Sequence, residues 1–335
     1  MKNKLLFIFY CLLISAPLFS LQAKTIQEKD FYPHKITTKT FNETWSYQFV
    51  FDNGTKAFVN ITTLHLPTQG RKIGCDISFF NFKGKNYSVG RQYPEERLKA
   101  QKDRKRITVK DEYFLENLPG KGHRVYFSAH KNGDFLLDLT FETAKKSVKP
   151  DNEIIKLEDE TYSQILHIPY GRVSGVIAYN KDTIQVRGYG VFDQSYQSSQ
   201  ATDLAKRVIS FSKNSSQNPF FAKIGIAHSG KPFGYGIFLE GETPRIRFIK
   251  KIEVDSKEYS GKNFPKGQMN FIFDDGFSVS FSVAKTQQKF SLLDNFDGWF
   301  AQKGAKILMG GEPLFYRGHT KDKDGKFIDW SIMGL

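Results

Sequence analysis

Cysteine is nearly absent from this 335-residue chain, in which only Cys11 and Cys75 occur. Two cysteines exclude a disulfide-stapled scaffold and any zinc or iron–sulfur site built from several cysteines. Cys11 falls in an N-terminal segment that we expect to be removed, so Cys75 would be the remaining thiol. An unpaired thiol in an exported protein is usually buried and inert, and we therefore expect Cys75 to lie in the core.

The sequence motifs of common catalytic sites are also missing. There is no glycine-rich dinucleotide or phosphate loop, no H-E-x-x-H zinc motif and no G-x-S-x-G nucleophile motif. The seven histidines are scattered, and only His123 and His130 lie close together, on one expected hairpin. The sequence therefore indicates no cofactor and no metal site.

Long apolar runs are confined to the N-terminus. Lys2 and Lys4 precede the apolar run Leu5–Leu13, and small or polar residues follow as far as Ala23. This order is typical of a secretory signal peptide, so we expect residues 1–23 to be cleaved near Ala23 and the protein to be exported to the periplasm or secreted. No later segment reaches the roughly 18 apolar residues of a transmembrane helix, and we expect a soluble mature product.

Aromatic residues, in contrast, are abundant. Phe 32, Tyr 15 and Trp 3 together make up 15% of the chain, a composition that favours strands. Basic residues exceed acidic ones by 49 to 35, giving a net charge of +14, which serves solubility or attracts anionic surfaces. The densest basic cluster, Arg97–Arg106, has few aromatic neighbours for base stacking, so it predicts a solvated connection or peripheral contact with an anionic membrane, and no nucleic acid.

Alternating apolar and polar residues bounded by tight-turn dipeptides predict antiparallel hairpins through most of the chain. A short internal repeat supports two similar halves, because residues 49–54 (FVFDNG) match residues 271–276 (FIFDDG), and both open a strand–turn–strand unit. The clearest hairpins span residues 47–61, 123–141 and 172–188.

A polar stretch without sustained alternation, residues 143–160, suggests a boundary near residue 155. We therefore expect two all-β domains, at 24–155 and 156–335. Each is large enough for an antiparallel barrel or sandwich that encloses one small ligand. A short helix is expected near Thr202 and Asp203, which are suitable helix caps.

The most unusual segment is Gly188–Tyr196 (GYGVFDQSY), in which glycines lead into four polar side chains. Glycines in a strand allow a bulge or a close backbone approach. In an extended strand, Asp193 and Ser195 face one side while Gln194 and Tyr196 face the other. Inside an apolar cavity these groups orient the polar end of a ligand, or Asp193 acts as an acid if burial raises its pKa. A hydrogen-bonded structural corner is the alternative.

These motifs resemble the tandem-lipocalin superfamily of carotenoid 1,2-hydratases, Diels–Alderase-type cyclases and fungal oxidative-stress survival factors, and the last branch most of all. The resemblance runs from about Trp45 to the C-terminus. It implies two lipocalin-like antiparallel β-barrels in tandem, with a hydrophobic ligand held in a calyx or between the barrels. The residues that carry it are 43–47 (ETWSY) with 52–54 (DNG), 169–175 (PYGRVSG) and Gly188–Tyr196.

Hydratase-like members carry Asp-His-x-Trp-type residues after the glycine-rich strand. Here Asp193 stands at the acid position, but Gln194 replaces the histidine and Tyr196 the tryptophan, so a titratable proton shuttle is missing. This departure favours a non-catalytic carrier of a lipid- or isoprenoid-like ligand. Its expected ligand-binding residues are Trp45, Tyr189, Asp193, Gln194, Ser195 and Tyr196.

Two alternatives stay open. The first is a hydratase or cyclase acting on an isoprenoid- or polyketide-like substrate, with Asp193 as the acid and Tyr196 or Tyr189 assisting, because a shaped cavity accelerates such reactions by orientation alone. The second is an envelope surface protein that binds anionic glycolipid through Arg97–Arg106.

Overall fold

The computed structural model describes most of the chain after residue 22. The signal-peptide prediction and Cys11 lie outside the described residues, apart from Ala23, which begins the first strand. Within the described part, no helix is long and apolar enough to cross a membrane. The described residues are 23–34, 40–66, 70–130, 133–143, 147–199, 201–213, 218–241, 243–255, 267–283, 288–291, 302–303, 306, 311–312, 314–322 and 325–334.

The first fourteen strands build a twelve-stranded sheet and a small two-stranded one, β1 with β11. In chain order they are β1 (Ala23–Thr25), β2 (Asn42–Phe51), β3 (Lys56–Leu66), β4 (Gly70–Phe82), β5 (Lys85–Pro94), β6 (Leu98–Gln101), β7 (Arg106–Val109), β8 (Tyr113–Leu118), β9 (Gly122–Ala129), β10 (Phe135–Thr143), β11 (Val148–Pro150), β12 (Ile154–Leu157), β13 (Glu160–Tyr179) and β14 (Asp182–Gln197). The large sheet, called here the first sheet, has the order β5-β4-β3-β2-β14-β13-β10-β9-β8-β7-β6, with β12 also paired to β13.

The remaining nine strands form the second sheet, in the order β20-β19-β18-β17-β16-β15-β23-β22-β21. They are β15 (Ala205–Lys213), β16 (Phe220–Ala227), β17 (Pro232–Glu240), β18 (Thr243–Asp255), β19 (Gly267–Phe273), β20 (Ser278–Val283), β21 (Gln288–Ser291), β22 (Leu314–Lys321) and β23 (Phe327–Gly334). The helical elements whose bounds fall within the described residues are short: the α-helix Ala201–Leu204 and the 3₁₀ turns Glu28–Phe31, Glu95–Arg97 and Lys102–Arg104.

The all-β prediction is confirmed, since the described strands pair antiparallel and curl into a half-barrel and a nearly closed barrel. The three hairpins predicted from the sequence are β2–β3, β9–β10 and β13–β14. The internal repeat is one turn used twice: Gly54 donates to Phe51 O, and Gly276 donates to Phe273 O. Both glycines have positive φ, 82° and 84°, a conformation that glycine adopts without steric cost.

The change of sheet does not coincide with the division expected at residue 155. Strands β13 and β14 lie beyond that residue, yet β13 pairs with β10 and β14 pairs with β2 in the first sheet. Sheet membership therefore changes after Gln197. The polar stretch contains the short strands β11 and β12, whose residues are half-buried or exposed apart from Pro150 and Leu157. This partial exposure explains the polarity of the stretch as well as a linker would.

Aromatic side chains fill both sheets, as the composition suggested. The first sheet encloses a large apolar core, and the second sheet encloses a smaller one. A third apolar cluster joins Leu166 and Val191 of the first sheet to Tyr235 and Ile237 of the second. The largest fully buried side chains are Trp45, Tyr47, Tyr113, Tyr235, Phe31, Phe49, Phe79, Phe82, Phe127, Phe135, Phe141 and Phe192. Cys75 is buried and free, as predicted.

Two irregularities in β13 shape the region around the unusual segment. The register against β14 shifts between Ile165 and Ile168 and again between Ile168 and Gly171. Pro169 lies in the second shift, a position where a strand tolerates the loss of an N–H donor. The first shift inserts an extra residue, so that both His167 and Ile168 reach the inner side of the first sheet.

Candidate functional site

A group of polar side chains lies at the end of the first sheet where β2 begins and β14 ends. We call His34, Glu43, His167, Gln194 and Tyr196 the mouth cluster. The N-terminal segment crosses this end of the sheet, with Phe31 packed edge-on against the rings of His123, His167 and Phe192. The mouth cluster is therefore a group of polar side chains at the edge of an aromatic core.

Strand alternation places these side chains together. Cross-strand partners share a face of a sheet, and Gln194 pairs with Trp45 while Tyr196 pairs with Glu43. Residues 43, 45, 47, 49 and 51 of β2 are all buried on the inner face. Gln194 and Tyr196 therefore both point inward; the sequence predicted that they share one side of the strand, and the pairing with β2 shows that this is the inner side.

The glycines of β14 are needed for this pairing. A Cβ at Gly190 would lie 2.5 Å from Cδ1 of Phe49 and 2.7 Å from the carbonyl oxygen of Gln48. At Gly188 it would lie 2.2 Å from the carbonyl oxygen of Val50. Of the two explanations offered by the sequence, close approach of the neighbouring strand applies, because the β14–β2 register is continuous.

A continuous chain of hydrogen bonds connects four members of the mouth cluster, His34, Glu43, Gln194 and His167. The Gln194 amide nitrogen donates to Glu43 Oε1 at 2.7 Å, so its amide oxygen accepts from His167 Nε2, also at 2.7 Å. Glu43 further accepts from His34 Nδ1 at 2.6 Å and from the His34 backbone N–H at 3.0 Å. Four hydrogen bonds thus fix the orientation of one amide and two imidazole rings.

Burial keeps the deeper histidines neutral. His167 is 4% exposed, and burial lowers its pKa to about 4, against an opposing effect of its bond to Gln194. Burial likewise lowers the pKa of His123 to about 3, and its Nδ1 is hydrogen-bonded to the Tyr47 hydroxyl at 2.8 Å. His34 differs, since 24% of its side chain is exposed. His34 is the member of this hydrogen-bonded chain whose side chain is partly exposed to solvent.

A second ionic group lies beside the cluster. Lys149 contacts Asp30 Oδ1 at 3.0 Å and Glu153 Oε2 at 2.6 Å. The other Glu153 oxygen accepts from the Tyr196 hydroxyl at 3.3 Å, and the Tyr196 ring stacks on His34 with centroids 4.0 Å apart. Burial and the charges of Glu153 and Glu43 raise the pKa of Tyr196 to about 12, so this phenol stays protonated.

One row of cross-strand partners extends from the mouth cluster to a solvent-exposed residue. Ile154 pairs with Ser163, Ser163 with Tyr196, and Tyr196 with Glu43. Ile154 is 46% exposed, one of few large apolar side chains with that property in the described structure. The Ser163 hydroxyl acts on Tyr196 by lowering its pKa, yet it is buried without a hydrogen bond of standard geometry.

The opposite face of β14 has different partners. Asp193, 1% exposed, forms an ion pair with Lys223 of β16, and the same ammonium donates to Ser195 Oγ at 3.1 Å. Burial raises the pKa of Asp193, and Lys223 opposes the shift. These residues join the first sheet to the second. Asp193 and Tyr196 therefore face opposite sides of one strand and cannot act on the same group of one bound molecule.

The structure places the residues predicted for the site in four different locations. Gln194 and Tyr196 belong to the mouth cluster, whereas Asp193 and Ser195 contact Lys223 between the sheets. Tyr189 also faces outward and stacks on Tyr170, with centroids 5.1 Å apart. Trp45 is fully buried beneath the cluster, where its Nε1 donates to the carbonyl oxygen of Phe31 at 2.9 Å.

Sequence reasoning missed His34, Glu43 and His167. Glu43 stands at an inward position of β2 beside Trp45, and a carboxylate in such a position was a detectable signal. The bulge that turns His167 inward has no comparable signature in the sequence. Among the described residues, no group of three or more His, Cys, Asp or Glu side chains is placed to hold a metal ion.

A small cavity also lies between the two sheets. Its volume is about 20 Å³, which is room for a single water molecule, and it is lined in part by Lys56, Phe58 and Trp330. Lys56 forms an ion pair with Asp329 at 2.6 Å beside it. The cavity is too small for the hydrophobic ligand that the sequence led us to expect.

No protein-family model and no curated protein matches the chain. Solved structures share its fold. A candidate AttH protein from Nitrosomonas europaea superposes with a TM-score of 0.59 at 12% identity, covering 95% of this chain and 99% of that one. CghA gives 0.56 at 10% identity over 95% and 94% of the two chains. Kievitone hydratase from Nectria haematococca gives 0.50 at 11% identity over 87% of each.

These similarities confirm the lipocalin-like tandem fold that the motifs indicated. At such low identities they concern the fold alone. One of the similar proteins is named as a hydratase, so this fold is compatible with catalysis as well as with binding, and function has to be argued from the site.

Proposed function

We propose that this protein binds a small hydrophobic molecule carrying one polar group, and that the mouth cluster receives the polar group. The observation that carries the proposal is the row Ile154–Ser163–Tyr196–Glu43. It leads from an exposed apolar side chain, past a buried hydroxyl without a standard hydrogen bond, to a buried carboxylate. Binding sites for small molecules combine apolar walls with a few convergent polar groups in this way.

The aromatic core supports a location at the rim. Side chains with at most 1% exposure, such as Trp45, Tyr47, Phe49 and Phe192, fill the inner face beneath the mouth cluster. Interiors packed in this manner leave few voids larger than a water molecule. A ligand is therefore best accommodated outside this core, on the side of the mouth cluster where His34 is partly exposed and where the cross-strand row ends at the exposed Ile154.

We further propose that the protein acts after export, on the basis of the signal-like N-terminal sequence Lys2–Ala23.

The proposed assignment of the protein to the survival-factor branch rests on Gln194 and Tyr196, which replace the histidine and tryptophan of hydratase-like proteins. Contact of the Arg97–Arg106 segment with an anionic membrane is a separate proposal. Arg97 and Lys99 are exposed, whereas Lys105 and Arg106 are paired with Glu28 and Glu116.

Catalysis is the second candidate, favoured by the pairing of Glu43 with His34 at 2.6 Å. A carboxylate that orients an imidazole is a common arrangement for general acid–base chemistry. In a hydratase or cyclase of this fold, His34 would then replace Asp193 as the proton-transferring group, because Asp193 is paired with Lys223 on the other face. Loss of turnover in His34→Asn and its retention in Asp193→Asn would support this assignment.

Mass spectrometry of an organic extract tests the binding proposal. The purified protein should release a hydrophobic molecule, and Ile154→Asp should release much less, because a charge replaces the apolar contact. Phe327→Asp is the matched control, since Phe327 is 55% exposed on β23 of the second sheet, and it should retain the molecule. An empty extract from protein that also takes up no fluorescent apolar probe would refute the proposal, as would equal retention by Ile154→Asp.

A further inference from the structure

The charges around the mouth cluster are unbalanced. Three carboxylates, Asp30, Glu43 and Glu153, lie in or beside the mouth cluster with a single lysine, Lys149, which contacts Asp30 and Glu153. The remaining basic member is His34, whose Nδ1 is already bonded to Glu43. With either protonation state of that imidazole, the described groups carry net negative charge.

This negative charge contrasts with the whole molecule, which has a net charge of +14. A protein with this positive net charge attracts anions to its surface. The charge of the mouth cluster is therefore opposite to that of the protein as a whole. The cluster and the rest of the surface select ligands of opposite charge.

The exposed part of the group is suited to a cation. Glu153 retains partial exposure, 23% of its side chain, and one of its oxygens has only the long 3.3 Å contact from Tyr196. The stacked rings of His34 and Tyr196 stand beside it, and aromatic faces attract cations. The buried Ser163 hydroxyl lies in the same row and has no hydrogen bond of standard geometry, so it is available to accept one from a ligand N–H.

We propose that the polar group of the ligand is a protonated amine, so that the ligand class is a hydrophobic primary amine. This inference rests on the proposed function at the mouth cluster. The ammonium would contact Glu153 and Tyr196, and the alkyl portion would lie on Ile154. A carboxylate at the same place would face Glu153 and Glu43, which repel it.

Three probes with one alkyl chain separate charge from hydrophobicity: octylamine, 1-octanol and octanoate, titrated calorimetrically into the full-length protein at pH 7. We expect octylamine to bind at least tenfold more tightly than octanoate, with octanol between them. Since the positive net charge of the protein favours octanoate, such an order would originate at the site. Glu153→Gln should weaken octylamine binding about fivefold and leave octanol unchanged.

Glu142→Gln is the control, because Glu142 is exposed on β10 outside the mouth cluster, and it should bind octylamine like the unmodified protein. If octanoate binds as tightly as octylamine, or octanol does, the amine assignment is wrong while the binding proposal stands. If none of the three probes binds and the organic extract is empty, both are wrong. Equal octylamine affinity of Glu153→Gln and the unmodified protein would also overturn the assignment.

Discussion

Gln194 and Glu43 are 151 residues apart, and the amide nitrogen of one donates to the carboxylate of the other at 2.7 Å. This bond ties an inward side chain near the end of β14 to an inward side chain near the start of β2. Because the Gln194 oxygen also accepts from His167, the amide holds a carboxylate and an imidazole at once. The orientation of the whole cluster depends on this residue.

Replacing Gln194 by leucine should therefore destabilise the protein. Leucine keeps the volume but leaves Glu43 and His167 without one buried partner each, which costs about 2 kcal/mol of the free energy of unfolding. Urea denaturation measures the loss. Gln185→Leu is the control on the same strand, where the side chain is exposed, and should change stability by less than about 0.5 kcal/mol. Equal effects of both variants would contradict the account.

The buried histidines predict a dependence of stability on pH. Burial lowers the pKa of His167 to about 4, whereas an unfolded histidine titrates near its model value of 6.5. Between these values the unfolded chain binds a proton that the folded chain excludes, so the free energy of unfolding falls as pH is lowered through this window. One such histidine contributes a slope of at most about 1.4 kcal/mol per pH unit.

The variant His167→Gln isolates this effect, because glutamine retains an N–H donor for Gln194 without titrating. Its free energy of unfolding between pH 6 and pH 5 should decline less steeply than that of the unmodified protein. Burial raises the pKa of Asp76 to about 6, which acts in the opposite direction, but this contribution is common to both proteins and cancels. Identical pH slopes would show that His167 is not held neutral by burial.

Gly190 should tolerate no side chain. In Gly190→Ala the new methyl group would clash with the ring of Phe49 and the carbonyl of Gln48, and overpacking of this kind costs about 1–3 kcal/mol. Gly74→Ala is the matched control within β4, because its nearest atom would be 3.9 Å away. Thermal denaturation should show a loss for the first variant alone. The double variant Gly190→Ala with Phe49→Leu should recover part of it if the ring causes the clash.

The ion pair between Asp193 and Lys223 predicts a structural role for both residues. Lys223→Met leaves the Asp193 carboxylate buried without its partner, which should lower the free energy of unfolding by about 3 kcal/mol. Asp193→Asn with Lys223→Met removes both charges and should regain most of that loss. Octylamine binding should be unchanged in the double variant, since the pair faces away from the mouth cluster. A loss of binding there would return Asp193 to the ligand site.

The regular part of the fold was predictable because alternation and turns are local. Phe49 and Phe51 recur at every second position and are followed by an Asn-Gly turn, so the β2–β3 hairpin and its inner face could be derived from the sequence. The opposite orientations of Asp193 and Gln194 followed from the same periodicity. The periodicity did not show which face of the sheet contains the polar site, because that depends on pairing between strands far apart in the chain.

The members of the candidate site could be derived only in part for the same reason. The sequence singled out Gln194 and Tyr196, which the structure places together, but Glu43 and His34 join them through the non-local pairing of β14 with β2. His167 points inward because of a register shift in β13, which alternation alone does not predict. The expected division near residue 155 was based on local polarity, whereas sheet membership is decided by long-range pairing of β13 and β14.

Methyl NMR spectroscopy tests the central claim most directly. With ¹³C-labelled isoleucine δ1 methyl groups, octylamine should shift the Ile154 signal most, because Ile154 lies in the same cross-strand row as Ser163 and Tyr196. Ile237 and Ile246, which pack between the two sheets, should not move. A shift confined to Ile237 and Ile246, with Ile154 unchanged at saturation, would place the ligand between the sheets and contradict a binding site at the mouth cluster.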